Sequence, residues 1–312
     1  MTSRTAVILG CNGQDGSLIS QSLIKKRYRV IGLSKNQNQK ESNLQKLGIA
    51  KDIELIVGDI TDLKCIKDLI YKYSPEEIYN LAGQTSVGVS FSQPILTIES
   101  IVKGTATILE ACRQTSYTGR IFFAGSSEMF GETDKGANIN HKQKPKSPYS
   151  IAKQTSFNLV KMYRDIFSIK CMTGVLFNHE SPLRSDTFVT QKIIKRVREI
   201  SETKRGKLRL GNINIKRDWG WAPEYIEAMQ LITNASNIAD HVICTGELNS
   251  LREFIIQVFS NFELEWEKHI EIDRNLFRSN EILKSYGNPK PLLQTLGWEA
   301  QVDFNTMIQK LL

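Results

Sequence analysis

The sequence predicts an α/β fold, and three observations lead to that prediction. Short apolar runs alternate with stretches of helical periodicity through about the first 180 residues. A glycine-rich GxxGxxG turn follows the first apolar run. After Asn178 the alternation becomes less regular. Together these features predict a Rossmann-like, doubly wound parallel sheet with a smaller, mostly C-terminal substrate-binding region.

Six of the apolar runs are expected to form buried parallel strands, because each is short and continuous. They are residues 5–9, 29–33, 53–57, 77–81, 120–124 and 170–176. Apolar residues at helical spacing predict helices at 17–26, 62–73, 94–115 and 150–167. Pro94 suits a first helical turn, where no backbone N–H is needed. The alternation implies right-handed crossovers and therefore parallel strands.

The second half of the chain gives fewer signals. We predict a helix at 187–203, a buried strand at 241–244 and an amphipathic helix at 304–312. No repeat or low-complexity linker separates the two halves, so the second region should be woven onto the first. We therefore expect a dinucleotide-binding Rossmann domain at 1–178, with a further strand near 241–245. The substrate-binding region would comprise 179–240 and 246–312.

Composition and net charge limit the classes of function that the chain can have. The chain has 312 residues, a net charge of +8 and five scattered cysteines without metal-ligand spacing, so we expect buried, reduced thiols and no metal site. No apolar stretch approaches the roughly 20 residues that cross a bilayer. No nucleic-acid-binding motif accompanies the basic residues, which favours phosphate-bearing small molecules as ligands. We expect a cytoplasmic protein without a signal peptide, because the N-terminus runs directly into the first strand.

The turn after the first strand has the pattern of a dinucleotide site. Gly10 permits a tight turn, Gly13 lets backbone amides approach a pyrophosphate, and Gly16 allows close helix packing. The helix that follows presents its partly positive N-terminus to the anion. We assign Gln14 and Asp15, which lie in the same turn, to cofactor binding with these glycines.

The ends of the next strands suggest which dinucleotide binds. An NAD-specific site usually has an acidic residue after the second strand, whereas Ser34 and Lys35 stand here, and Lys35 would attract a 2′-phosphate. The sequence therefore favours NADP. Asp59 and Ile60 follow the third strand, where Asp59 could accept from the adenine amine. Leu81 and Ala82 end the fourth strand beside the cofactor ribose.

Four residues carry the predicted chemistry: Ser126, Glu128, Tyr149 and Lys153. A tyrosine and a lysine four residues apart share one helix face. A nearby ammonium should lower the pKa of the phenol from its usual value of about 10 towards the working pH. A simple dehydrogenase needs only the serine, the tyrosine and the lysine. An elimination requires a further base, and Glu128 is available for it. A glutamate at a strand end beside a cofactor costs free energy unless it is paired or has a function, which favours this role.

Several longer strings carry a family resemblance. They are GQDGS at 13–17, YNLA at 79–82, FNHESP at 177–182, FVTQKI at 188–193, LGN at 210–212 and KRDWG at 216–220. With the motifs above, the chain resembles the extended short-chain dehydrogenase/reductase superfamily, and within it the GDP-mannose 4,6-dehydratase family. It departs from that pattern in having Ser126 for a threonine, Ser86 for a histidine and Lys35-Asn36 for a paired-arginine segment.

The resemblance implies an internal redox reaction on a GDP-sugar. Tyr149 would take the proton of the sugar C4 hydroxyl while hydride passes from C4 to NADP⁺. Glu128 would then remove the C5 proton as water leaves C6, with Ser126 assisting. Hydride would return to C6, so that GDP-mannose becomes GDP-4-keto-6-deoxymannose. Lys153 would bind the nicotinamide ribose.

The resemblance also implies the substrate-binding residues and the assembly. They would be Ser86, Asn178, Lys192, Arg217, Arg278 and Glu281. We expect a homodimer or homotetramer, with the dimer formed through helices 94–115 and 150–167. Three alternatives remain open: the same chemistry on GDP-manno-heptose or GDP-N-acetylglucosamine, a GDP-4-keto-6-deoxy-sugar reductase or epimerase, and a catalytically inactive NADP sensor.

Overall fold

A computed structural model describes residues 4–35, 42–277 and 280–312. The described residues form fourteen strands and thirteen α-helices. The strands are β1 Thr5–Leu9, β2 Arg29–Ser34, β3 Ile53–Val57, β4 Glu77–Asn80, β5 Arg120–Ser126, β6 Cys171–Leu176, β7 Asn178–Glu180, β8 Leu208–Leu210, β9 Lys216–Arg217, β10 Trp219–Trp221, β11 His241–Ile243, β12 Asn249–Ser250, β13 Ile270–Ile272 and β14 Lys284–Ser285. The helices are α1 Gln14–Lys25, α2 Asn43–Lys46, α3 Leu63–Tyr73, α4 Val87–Ser92, α5 Pro94–Ile98, α6 Gly104–Gln114, α7 Pro148–Phe167, α8 Val189–Thr203, α9 Ala222–Asn234, α10 Leu251–Asn261, α11 Trp266–His269, α12 Lys290–Leu296 and α13 Phe304–Leu311.

A seven-stranded sheet with the order β3-β2-β1-β4-β5-β6-β11 forms the centre of the fold. All of its strand pairs are parallel. The strand order reverses between β1 and β4, and ligands of such sheets bind beyond the carboxyl ends of the strands at this point. The predicted doubly wound α/β fold is therefore confirmed.

Helices cover both faces of this sheet. On one face, Leu69 of α3, Ile108 of α6 and Val160 of α7 join the core. On the other face, α1 and α9 pack together, and Leu23 and Met229 belong to their core. The strands are hydrophobic on both sides because both sides are covered.

The C-terminal part has a hydrophobic core of its own. Helices α8, α10 and α13 contribute most of it, with Val197, Phe254, Met307 and the indole of Trp219 fully or almost fully buried. Trp219 stacks on Phe304, with ring centres 5.8 Å apart. Ile194, Leu210 and Trp219 of this core line the cleft described below, so the core forms one of its walls.

In the first half of the chain the predicted strands match the observed ones closely, whereas the helices differ more: α2 and α4 were not predicted, and others have different bounds. The predicted helix 94–115 is interrupted by a π-helical segment at Glu99–Lys103, and Gly104 then starts α6 at a position where a Cβ atom would lie 2.5 Å from Ile60. Helix α1 begins at Gln14 rather than at residue 17. In the second half of the chain, helix α9 was not predicted, although its buried residues recur at helical spacing on one face.

The cysteines and the helix lengths of the described residues bear on two expectations from composition. All five cysteines are free thiols, and four of them are buried. Within the described ranges, no helix combines the length and apolarity needed to cross a membrane.

Candidate active site

A cleft of about 1210 Å³ opens where the carboxyl ends of β1, β4, β5 and β6 face helix α8. It brings together most of the residues that the sequence predicts. Those lining it are Gly13, Gln14, Asp15, Gly16, Leu81, Ala82, Ser86, Ser126, Glu128, Tyr149, Lys153, Asn178, Lys192 and Arg217. The cofactor, catalytic and substrate groups proposed from sequence therefore share one cavity.

Two glycines of this turn have no room for a side chain. Gly10 has φ +86°, and a Cβ atom there would lie 2.8 Å from the Cα of Ala82. A Cβ atom on Gly16 would lie 2.2 Å from the carbonyl oxygen of Gly10. Gly13 precedes α1 and caps it without a side chain, so the first amides of the helix point into the cleft. This geometry fits a pyrophosphate.

Helix α7 places Tyr149 and Lys153 on one face. Ser147 and Ser150 form a capping box at its start, and Pro148 occupies the first turn. The ammonium of Lys153 donates a 2.8 Å hydrogen bond to the carbonyl oxygen of Ala124 in β5. It lies 5.8 Å from the centre of the Tyr149 ring. The helix start thus fixes the tyrosine and the lysine against the end of β5.

Burial has the largest effect on the pKa values of both Tyr149 and Lys153. It raises the pKa of Tyr149 to about 12, against the effect of a hydrogen bond with Ser126. It lowers the pKa of Lys153 to about 8. The lowered tyrosine pKa expected from sequence is therefore wrong for the protein alone, because Lys153 bonds Ala124 rather than the phenol and both groups are desolvated.

Ser126 and Glu128 lie at the end of β5. A 3₁₀ turn at Ser127–Met129 follows the strand, and the hydroxyl of Ser126 accepts a 3.3 Å hydrogen bond from the backbone N–H of Glu128. This turn carries the Glu128 side chain, half-buried, into the same cleft as Tyr149. The cleft thus holds one phenol, one amine, one hydroxyl and one carboxyl group that could move protons.

An ion pair that sequence reasoning did not find joins the glycine turn to β7. Nε2 of His179 lies 3.0 Å from each carboxylate oxygen of Asp15, and its Nδ1 lies 2.7 Å from the carbonyl oxygen of Phe177. Burial opposes both charges, but each partner offsets it: the pKa of Asp15 falls to about 2 and that of His179 is raised. Arg184 donates to the carbonyl oxygen of His179 at 2.7 Å.

Further basic residues of the cleft were also missed. Lys46, Arg184, Lys195 and Arg198 line it together with the predicted Lys192. A signal for two of them, Lys195 and Arg198, was present in the sequence, because they follow Lys192 at intervals of three residues. They lie opposite the buried apolar stripe of α8. The polar side of this helix therefore lines the cleft and is not only a solvent-exposed surface.

Some predicted site residues lie outside the cleft wall. Gly10, Lys35, Asp59, Ile60 and Glu281 are not among the described residues that line it. Lys35 forms an ion pair with Asp59 at 3.0 Å, so the groups predicted to bind the 2′-phosphate and the adenine contact each other. Arg278 lies outside the described residues.

Two substrate-binding predictions gain structural detail. The hydroxyl of Ser86 accepts from the N–H of Val89 and caps α4, although Ser86 also lines the cleft. Arg217 is 6% exposed and borders the cleft, whereas its neighbour Asp218 is fully buried. The carboxylate of Asp218 accepts hydrogen bonds from Thr245 and Gly246.

Sequence comparison finds one family along almost the whole chain. A family model described as GDP-mannose 4,6 dehydratase matches residues 7–311. GDP-mannose 4,6 dehydratase 1 of Arabidopsis thaliana is 34% identical over 98% of this chain and 88% of its own length. The human GDP-mannose 4,6 dehydratase is 32% identical over 98% of this chain and 90% of its own. The Vibrio cholerae relative of that name is 30% identical over 100% and 93%.

Solved structures match the fold. A Thermus thermophilus UDP-glucose 4-epimerase in complex with NAD has a TM-score of 0.85 at 21% identity, covering 98% of both chains. A dTDP-glucose 4,6-dehydratase of Streptomyces venezuelae has a TM-score of 0.87 at 18% identity, covering 98% of this chain and 96% of its own. A Pseudomonas aeruginosa structure complexed with NADPH has a TM-score of 0.82 at 18% identity, covering 99% and 97%. At these identities the likeness concerns the fold alone.

Proposed function

The chain belongs to the GDP-mannose 4,6-dehydratase family, and we propose that it converts GDP-mannose to GDP-4-keto-6-deoxymannose with bound NADP. One observation carries the proposal. Glu128 lies in the same cleft as Ser126, Tyr149 and Lys153. An oxidation at C4 uses the serine, tyrosine and lysine, whereas the loss of water across C5 and C6 needs a second base, and Glu128 supplies it.

The protein's own residues perform the proton transfers. Tyr149 receives the proton of the C4 hydroxyl, and its hydrogen bond with Ser126 favours the ionised phenol that this step needs. Glu128 takes the C5 proton, which the new 4-ketone acidifies. Ser126 assists departure of the C6 hydroxyl, and the proton held by Glu128 leaves with it as water. A bound nicotinamide would supply the hydride acceptor for C4 and the hydride donor for C6. As C6 gains the hydride, C5 regains a proton, which Tyr149 can return because it holds the proton of the C4 hydroxyl.

Support for the cofactor comes from the cradle and from structural neighbours. Gly13, Gly16 and the start of α1 would hold the pyrophosphate, and Lys153 would hold the nicotinamide ribose. Neighbours of the same fold were solved with NAD and with NADPH. Our choice of NADP rests on Lys35, whose exposed ammonium stands at the end of β2.

The charge of the cleft favours a nucleoside diphosphate sugar. Lys192 and Arg217 would neutralise the diphosphate, and Asn178 at the start of β7 would bond its edge or the sugar. The additional cations on α8 and at Arg184 strengthen the same preference. The proposal extends to Ser86, Glu281 and Arg278 as further substrate contacts.

We also propose a homodimer and a cytoplasmic setting. Helices α4, α5 and α7 pack on one another and expose several large apolar side chains, which is unusual for a surface that meets only water. A second copy of the chain would cover them. Five unpaired thiols, four of them buried, suit a reducing compartment.

Mass spectrometry of purified protein incubated with GDP-mannose and NADP⁺ tests the reaction. We expect a product that has lost one water, with the cofactor still oxidised at the end. A reductase would instead consume NADPH in proportion to product, and an inactive sensor would give no turnover. Loss of water only from GDP-manno-heptose or GDP-N-acetylglucosamine would keep the chemistry and replace the sugar.

A further inference from the structure

A second, much smaller cavity lies behind Lys153, on the side of the sheet covered by α6 and α7. Its volume is about 10 Å³, which is close to the space that one water molecule needs. Asn80 at the end of β4, Thr173 in β6 and Ser156 in α7 line it together with Lys153. The cavity therefore joins three elements of the fold beneath the lysine.

Two polar atoms of the cavity wall lack partners among the described residues. They are Oδ1 of Asn80 and Oγ1 of Thr173, and both are fully shielded from solvent. Asn80 is 7% exposed and Thr173 is 1% exposed. Buried polar atoms of native proteins are nearly always hydrogen bonded, to protein or to ordered water. Two such atoms at one water-sized cavity point to a shared partner.

Lys153 can take part in the same network. An ammonium has three donors, and one of them is used by the carbonyl oxygen of Ala124. Two donors remain for the cleft on one side and the small cavity on the other. A water there could accept from Lys153 and donate to Asn80, while the Thr173 hydroxyl completes its coordination.

We propose that this cavity binds one structural water that links Lys153 to Asn80 and Thr173 and keeps the lysine charged and in place. Asn80 and Thr173 are then positioning residues for the cofactor-binding lysine. This inference rests on the proposed function only in taking Lys153 as the group that holds the cofactor ribose.

The water would stabilise the charged form of Lys153, which has few other stabilising contacts among the described residues. Burial lowers the pKa of Lys153, and Asp15 is the charged group that opposes this effect. Tyr149 stands on its cleft side. On the cavity side, the described lining residues from α6, α7 and strands β4 to β6 carry no charge other than that of Lys153. A hydrogen bond that the water accepts from the ammonium would raise the fraction of charged lysine near neutral pH.

The first test measures NADPH binding by the full chain between about pH 7 and 10. We expect affinity to fall as Lys153 loses its proton, and Lys153→Met should remove this pH dependence. In Thr173→Val the midpoint should move down by roughly 0.5 to 1 pH unit, since one hydrogen bond of the network is lost. Thr173→Ser keeps the hydroxyl and should restore the midpoint of the unchanged protein.

A matched control is Thr233→Val, which removes an equally buried hydroxyl that bonds its own helix at the carbonyl oxygen of Met229. It should leave the midpoint unchanged. Equal midpoints for Thr173→Val and the unchanged protein, or a pH dependence that survives Lys153→Met, would overturn the proposal.

A crystal structure gives the second test. One water within hydrogen-bond distance of Oδ1 of Asn80 and Oγ1 of Thr173 is expected, and a dry cavity would refute the assignment. Both tests use binding and coordinates rather than turnover. A failure of the proposed dehydratase reaction would therefore show separately, as an absence of product.

Discussion

Asp15 and His179 form a buried ion pair in which both carboxylate oxygens lie 3.0 Å from the same ring nitrogen. The other ring nitrogen of His179 faces the carbonyl oxygen of Phe177, which can only accept. Because acceptors face both nitrogens, the imidazole carries two protons and a positive charge. The pair connects the glycine turn, which follows β1, to β7, where the proposed substrate-binding residue Asn178 lies. It therefore links the proposed cofactor and substrate parts of the site.

Replacing His179 by Gln should destabilise the protein in a pH-dependent way. The raised pKa of His179 means that its contribution is complete below the ordinary value of 6.5 and is lost as pH rises through the folded-state pKa. The lowered pKa of Asp15 means that its contribution is present above 3.8 and is lost as pH falls towards about 2. We expect a loss of roughly 3 kcal/mol in the free energy of unfolding between those limits, measured by urea denaturation.

His241→Gln is the control for this experiment. Burial lowers the pKa of His241, so its contribution to stability should fall with decreasing pH, which is the opposite dependence. A constant difference in unfolding free energy between the His179→Gln variant and the unchanged protein from pH 4 to pH 8 would contradict a charged His179.

Glu128→Gln should stop dehydration while sparing the oxidation at C4. The amide cannot accept the C5 proton, so we expect turnover to fall by about 10² to 10⁴. Reduced cofactor should then accumulate in a single turnover, and its absorbance reports this directly. Glu132→Gln is the control, because Glu132 pairs with Lys146 at 3.7 Å instead of lining the cleft. An unimpaired Glu128→Gln enzyme would exclude the role proposed here.

The sequence predicted the central sheet well because its signals are local. Each strand is a short apolar run, and the glycine turn has a fixed spacing, so β1 to β6 and α1 could be placed without knowing any partner. Helix α9 was missed although its buried residues recur at helical spacing, so a local signal was present there and was not used.

The catalytic residues could be predicted because each of these residue types, at its position in a motif, has a characteristic chemical role. Tyr149, Lys153, Ser126 and Glu128 meet in one cleft as expected. The Asp15–His179 pair could not be predicted, because the two residues are separated by 164 positions and pairing follows only from folding. The pKa of Tyr149 was mispredicted for a related reason. Helical spacing gives the direction of Lys153, whereas burial of both groups depends on the packing around them.

Lys35→Met should weaken NADP binding and leave NAD binding nearly unchanged. The ammonium is exposed and pairs with Asp59 at 3.0 Å, so its removal costs little stability. A charge-assisted contact to the 2′-phosphate would be lost, and we expect about a tenfold rise in the Kd for NADP. Titration with both dinucleotides measures it, with Lys51→Met, an exposed lysine outside the cleft, as the control. Equal losses for the two cofactors would count against a 2′-phosphate contact.

Asp218→Asn should destabilise the junction between β10 and the loop after β11. The buried carboxylate accepts from the N–H and hydroxyl of Thr245 and from the N–H groups of Gly246 and Gly287. The asparagine side chain keeps one acceptor oxygen, but its N–H₂ group then faces N–H or O–H groups that had donated to the second carboxylate oxygen. We expect a loss of about 2 to 4 kcal/mol in unfolding free energy. The exposed Asp52→Asn serves as control, and equal stability of the two variants would show that the buried contacts are not needed.

Ile95→Asp should convert the proposed dimer to a monomer without unfolding it. The side chain is 73% exposed on α5, and α5 and α7 also expose Leu96, Ile98, Ile151 and Ile166. An exposed position tolerates a charge in the single chain, whereas burying that charge against a second copy is costly. Light scattering on a sizing column measures the mass.

Leu293→Asp on α12, on the opposite side of the sheet, is the matched change and should leave the dimer intact. The unchanged protein must itself have twice the mass of one chain for the comparison to hold. A monomer at micromolar concentration would instead mean that the apolar surface of α4, α5 and α7 meets some other partner, because its exposed Ile and Leu side chains would still be uncovered.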